Sequence, residues 1–185
     1  MGVKLAAASG GSIELVPTNT ASNFTVTVPA STGTMLTTST AGTVLQVVST
    51  TKTNSFSTLG VGAFVDITGL SVSITPTSAT SKILVQVVVA AGIALGNTLF
   101  NLVRGSTNIA QSTSGTDNET VAANQGGAYS MQTLPIVFLD SPATTSATTY
   151  KLQINPSNQT VYINVRATDQ YYGGVSTITV MEIAA

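Results

Sequence analysis

Residues 82–91 read KILVQVVVAA, and this stretch decides the fold. Successive side chains of a strand point to opposite faces. Ile83, Val85, Val87 and Val89 therefore fall on one face, and Leu84, Gln86, Val88 and Ala90 on the other. A strand with one wet face alternates apolar and polar residues, whereas one covered on both sides reads as a near-continuous apolar run. Gln86 alone breaks this run. The segment predicts a central strand whose second face is also covered.

The rest of the chain has the same period. Thr and Val dominate it, and their branched Cβ atoms suit strands. Strands are predicted at Ser12–Val16, Phe24–Val28, Thr43–Ser49, Ala63–Ile67, Ser71–Thr75, Lys82–Ala91, Thr98–Arg104, Tyr129–Leu139, Thr148–Asn155, Thr160–Ala167 and Val175–Ile183. Turn clusters such as Pro76-Thr77-Ser78, Asp140-Ser141-Pro142 and Gly173-Gly174 separate them. No window sustains helical spacing. Many short strands with turns between them predict an all-β sandwich or barrel. Residues 105–128 are the one long polar stretch and predict an exposed loop. Residues 1–42 are poor in large apolar side chains, while 43–185 hold the longer strands. This predicts a short N-terminal segment followed by a single head domain.

Composition narrows the function. Hydrophobic residues make up 43% of the 185 and charged residues only 7%, against a norm of about 25% charged. The surface must be rich in hydroxyls. A net charge of −1 opposes self-association very little. Lys4, Lys52, Lys82, Arg104, Lys151 and Arg166 are scattered, so a nucleic-acid footprint is not expected. No run approaches the roughly 18 apolar residues of a membrane span, and MGVKLAAASGG has too short an apolar run for a signal peptide. The chain is expected to be soluble, unprocessed and not inserted in a membrane.

The chain has no His and no Cys. Imidazole triads, thiol chemistry and imidazole metal sites are therefore closed to it. No catalytic pair of carboxylates is legible, and no enzyme, cofactor or metal is expected. Asp66 and Asp140 end strand-like runs, where capping a turn is the plain expectation. Asp117-Asn118-Glu119 could offer oxygens to Ca²⁺, but a solvated loop tip explains it as well, and the spacing of a calcium loop is missing. Asp169, Gln170, Tyr171 and Tyr172 stand together before Gly173-Gly174. Rings beside amide and carboxylate groups can stack on and hydrogen-bond a sugar. Equally, one ring could pack under a turn and the other cover a neighbouring chain. Both readings stay open. Asn-x-Thr sequons at Asn23, Asn118 and Asn158 say little without a secretory signal.

GSIELVPTNTASNFTVTVPASTGTML at 11–36 resembles a segment common in tail-fibre and other virion-surface proteins of tailed bacteriophages, often cyanobacterial and marine ones. FVDITGLSVSITPTSATSKILVQVVV, FNLVRGSTNI, FLDSPATTSATTYKLQI and STITVMEI resemble the C-terminal domain of similar fibre proteins. That domain is similar to the jelly-roll sandwich of the C1q and tumour-necrosis-factor type, which assembles as a trimer. The resemblance implies a homotrimeric virion protein, mounted on tail or capsid through residues 1–42, with a head at 43–185 and loops that contact host-surface glycan. A short tail fibre is the first reading and a capsid decoration protein the second. A polysaccharide-degrading fibre and a bacterial adhesin rank lower. The resemblance also implies that the outer face of one sheet lies on the threefold axis. Gln86 could meet copies of itself there, whereas in a subunit core its amide would lack partners. Leu84, Gln86, Val88 and Ala90 are accordingly expected at the trimer interface.

Overall fold

The computed structural model describes residues 3–6, 10, 12–15, 41–59, 62–114, 119–124, 127, 129–156 and 159–185. The chain divides into two compact units, Met1–Met35 and Leu36–Ala185. In the first, β1 (Val3–Ala6) pairs antiparallel with β2 (Ser12–Leu15). The expected strand Phe24–Val28 lies outside the described residues.

The second unit is a sandwich of two antiparallel sheets, with no helix among the described residues. Its strands are β3 (Val44–Lys52), β4 (Phe56–Thr58), β5 (Val65–Ile74), β6 (Lys82–Ile93), β7 (Asn97–Arg104), β8 (Thr107–Ile109), β9 (Val121–Asn124), β10 (Gln132–Asp140), β11 (Thr148–Pro156), β12 (Val161–Ile163) and β13 (Ser176–Ile183). The first sheet is built on β6. Along one side of it run β13, opposite residues 82–88, and β12, opposite residues 91–93. Along the other side runs β10, opposite residues 83–91. β3 flanks β13, and β4 flanks β12. The second sheet is ordered β5–β11–β7, with β8 and β9 in succession along the far side of β7. The long strands alternate between the sheets: β3, β6, β10 and β13 in the first, and β5, β7 and β11 in the second.

β6 aims Ile83, Val85, Val87 and Val89 into the core, each at most 1% exposed. They meet Phe100, Leu102, Tyr150, Leu152 and Ile154 of the opposite sheet and Ile178 and Val180 of β13. Burying each such aliphatic side chain stabilises the fold by about 1.5–3 kcal/mol relative to leaving it in water.

The structure corrects three expectations about strands and loops. Ala63–Ile67 and Ser71–Thr75 belong to one strand, β5. Ile67 and Leu70 both point inward although three residues apart, because Gly69 (φ +82°) turns the backbone and the ladder to β11 slips between Lys151 and Gln153. The polar stretch 105–128 is not loop throughout, since β8 and β9 lie in it. The strand expected at Thr160–Ala167 stops at Ile163, because Asn164 takes a left-handed backbone (φ +66°), which Asn tolerates better than most residues.

Asp140 does not cap a turn. It is buried, and its two oxygens each accept a 2.8 Å bond from Arg104 Nη1, while Tyr150 Oη donates to Oδ2 at 2.7 Å. Asp140 belongs to one sheet and both partners to the other, so the cluster clamps the sandwich. Burial, and then the adjacent carboxylate, push the Tyr150 phenol upward, so it stays a donor. Asp66 does not cap a turn either. It accepts bonds from Lys151 (2.7 Å) and Gln153 (2.8 Å) across the ladder to β11, at an exposed position where an ion pair contributes little.

Glu182 shares the inward face of β13 with Ile178 and Val180 and is fully buried. Its oxygens accept bonds from Gln46 Nε2 (2.6 Å), Thr77 N–H (2.7 Å) and Thr77 Oγ (2.7 Å). Burial pushes this carboxyl up, but the donors outweigh it and hold it down at about 2, below its ordinary 4.5. Between those values the unfolded chain binds the extra proton. Glu182 therefore stabilises the fold fully above pH 4.5, and this contribution drains away as pH falls towards 2. Thermal melts should fall more steeply over that window in the wild type than in Glu182→Gln. Parallel profiles would assign the acid sensitivity to other groups.

The register also defines two poles. Val44 pairs with Ile183, and Gly42 N–H donates to Ala184 O, so the chain enters this unit beside its C-terminal residues. Lys52 pairs with Ser176 at the other pole, where the bends at 94–96 and the segment 164–175 lie.

Candidate functional site

The outer face of the first sheet carries the side chains of β6 that point away from the core. Its cross-strand rows follow from the ladders. Leu139, Leu84, Met181 and Val47 form one row. Val137, Gln86, Thr179 and Ser49 form the next, and Pro135, Val88, Thr177 and Thr51 a third. None of these positions is charged. Several large apolar side chains stand open to solvent: Val137 is 64% exposed, Val47 55%, Leu139 54% and Val88 39%. Contiguous apolar fields of this kind mark contact surfaces. Within the rows Ser49 Oγ and Thr179 Oγ are hydrogen-bonded to each other at 2.8 Å. Leu84, Gln86 and Val88 of the expected interface lie in this field. Ala90 is placed differently, because the chain's own segment around Gly174 lies against it.

That segment leaves β12 at Asn164 and returns at Ser176. Its stem is held by a buried hub on Asn164. The side-chain amide donates to Lys52 O (2.7 Å) and Asn54 O (3.1 Å), and Oδ1 accepts from Ser176 Oγ (2.6 Å). The Asn164 backbone bonds to Ala90 O and to Gly174 N–H, 2.8 Å each. The segment then crosses β6 at Gly92. A Cβ there would press into the Val165 carbonyl and lie 2.7 Å from the Ala167 nitrogen, so only glycine admits the crossing. Gly92 has the parity of Val88 and Ala90, so the crossing is on the outer face and bounds the apolar field at the far pole.

Beyond the crossing stand the sequence-predicted residues. Tyr171 and Tyr172 are 77% and 58% exposed, with ring centroids 5.1 Å apart and planes at 90°. Asp169 is occupied within the loop. Its carboxylate accepts bonds from Arg166 Nε (2.7 Å) and Nη2 (2.5 Å), and from Tyr171 N–H (3.1 Å). The Arg166 bonds hold the Asp169 carboxyl below its ordinary range. Gln170 is exposed in a left-handed conformation (φ +56°), and its N–H donates to Arg166 O at 2.9 Å.

Sequence reasoning missed Arg166 and Tyr129. The Arg166 guanidinium lies over the Tyr172 ring, 4.4 Å from its centroid, and 5.3 Å from that of Tyr129, which is 68% exposed. Cation–π contacts of this length are attractive. Nothing in the local text links Tyr129 to a loop far downstream; only the pairing of β10 and β12 on opposite sides of β6 brings them together. Asp117 and Asn118, weighed as calcium ligands, lie outside the described residues.

No protein-family profile matches the chain, and no curated protein does. Among solved structures, the chain is similar to the D431N mutant VP2 protein of infectious bursal disease virus in derived T=1 particles. The identity is 14% and the TM-score 0.40, over 96% of this chain and 44% of that one. It is similar to the VP2 subviral particle of the same virus at 16% identity and TM-score 0.38, over 76% and 38%. It is also similar to the Gx strain structure at 14% identity and TM-score 0.37, over 95% and 52%. The chain spans about half or less of each of those proteins.

Proposed function

We propose that this chain is a homotrimeric surface subunit of a tailed-bacteriophage virion, a short tail fibre. One observation carries the reading: beyond Lys82, the outer face of the first sheet presents three rows without a charge, in which Val47, Val88, Val137 and Leu139 stand exposed, on a sandwich that has an otherwise complete core. A chain with so few charges does little to repel its own copies. A threefold axis over this field would cover Leu84 and Val88 and bring three Gln86 amides together, each able to donate and accept. The alternation of long strands between the two sheets supports the jelly roll that the sequence resemblance implies. In this reading residues 1–42 attach to the particle and the far pole faces outward.

A chain starting at Thr43 tests the division. It should fold and form trimers by light scattering, yet fail to join particles. An insoluble product, or normal incorporation, would refute this assignment of the segment. Antibody labelling of virions then separates a tail mounting from a capsid mounting, and label on the head would replace the tail fibre with a capsid decoration protein.

A further inference from the structure

We propose that Tyr129, Tyr171 and Tyr172, organised by Arg166, form a stacking site for an uncharged pyranose at the far pole. The inference rests on the surface role proposed above and names the class of ligand that the outward pole would take.

Three features carry it. The first is exposure. Single exposed aromatics are ordinary, but here three rings, each more than half exposed, stand together: Tyr129 and Tyr172 flank the Arg166 guanidinium, and Tyr171 meets Tyr172 at a right angle. The second is rigidity. Arg166 is pinned by both oxygens of Asp169, Arg166 N–H donates to Tyr172 O at 2.9 Å, and Gln170 and Gly174 are bonded back to the stem. The loop that carries Tyr171 and Tyr172 therefore has less conformational freedom to lose on binding, which is where weak sites usually forfeit affinity. The perpendicular planes of Tyr171 and Tyr172 make a corner that can take the C–H face of a sugar ring on one side and its edge on the other. The third is charge. Asp169 cancels Arg166 within the loop, so the site presents rings and hydroxyls with no net charge. This favours a neutral sugar over a sialylated or phosphorylated one.

A second copy of the chain is the competing occupant, because the loop borders the apolar field. The chain has no Trp and five Tyr, so tyrosine emission reports these three rings over a background from Tyr150 and Tyr162. Assembled wild-type protein would be titrated with lactose, maltotriose and cellotriose, with 3′-sialyllactose as the acidic probe, and its mass followed by light scattering. At least one neutral probe should change the emission in the millimolar range. Tyr171→Ala should weaken that response roughly five-fold per site, with the mass unchanged. Asp169→Asn, which leaves Arg166 uncancelled, should tilt the response towards sialyllactose. The proposal is overturned if no neutral probe responds, if the wild type prefers the acidic one, or if Tyr171→Ala disassembles the protein. The last outcome would make the rings an interface and leave the assembly reading standing. A monomeric wild type that still binds the neutral probe would do the reverse.

Discussion

Val87→Lys should leave no folded protein, while its neighbour Val88→Lys should fold and stay monomeric. Val87 is 1% exposed among the core residues of both sheets. An ammonium there would have no partner, and an unpaired buried charge costs several kcal/mol even after relaxation. That is a large part of the roughly 5–15 kcal/mol by which a domain is stable. Val88 is one residue away on the outer face, where a lysine reaches water within the single subunit. In the proposed trimer it would set three ammoniums around one axis and block assembly. Thermal melts and light scattering after size exclusion separate the two effects. A folded Val87→Lys would reverse the faces, and a trimeric Val88→Lys would move the interface elsewhere.

Asp140→Ala should cost about 3 kcal/mol, the lower end of the range for breaking a buried ion pair, because the Arg104 side chain keeps 28% exposure. For a chain of this size that lowers the melting temperature by roughly 10 °C. The loss has two sources. Arg104 keeps its charge without its carboxylate, and the fully buried Tyr150 hydroxyl is left without an acceptor. Tyr150→Phe removes only the hydroxyl and should cost about 1–3 kcal/mol, because the carboxylate keeps Arg104. Denaturant melts of the two variants test the order. If Asp140→Ala is as mild as a surface substitution, the two sheets are not held together at this point.

The inner face of KILVQVVVAA is legible from sequence because strand parity is a local rule. The alternation from Ile83 to Val89 needs no knowledge of the partners, and Ile83, Val85, Val87 and Val89 are all in the core. Parity also holds a further signal. In STITVMEI, Glu182 falls in phase with Ile178 and Val180, which marks a buried carboxylate needing donors. Asp140 reads as a turn residue because its partners lie on strands of the other sheet, and no local pattern names them. Ala90 has the right parity for the outer field, but a loop from much later in the chain lies on it. The tyrosine pair is visible in the sequence as a pair. Its organiser, Arg166, and its third ring, Tyr129, become visible only with the fold.

The pairing of β3 with β13 has a mechanical consequence. β3 begins where the chain enters and ends beside Ser176, the residue at which the tyrosine loop rejoins the sheet. A particle tugging at Thr43 and a surface holding Tyr171 would pull these two strands past each other along their length. Ladder hydrogen bonds run perpendicular to the strands, so such a pull strains the rungs from Val44 to Lys52 together and does not peel them one at a time. On the proposed reading, the sandwich is oriented to resist tension between the pole at Thr43 and the pole of the tyrosine loop.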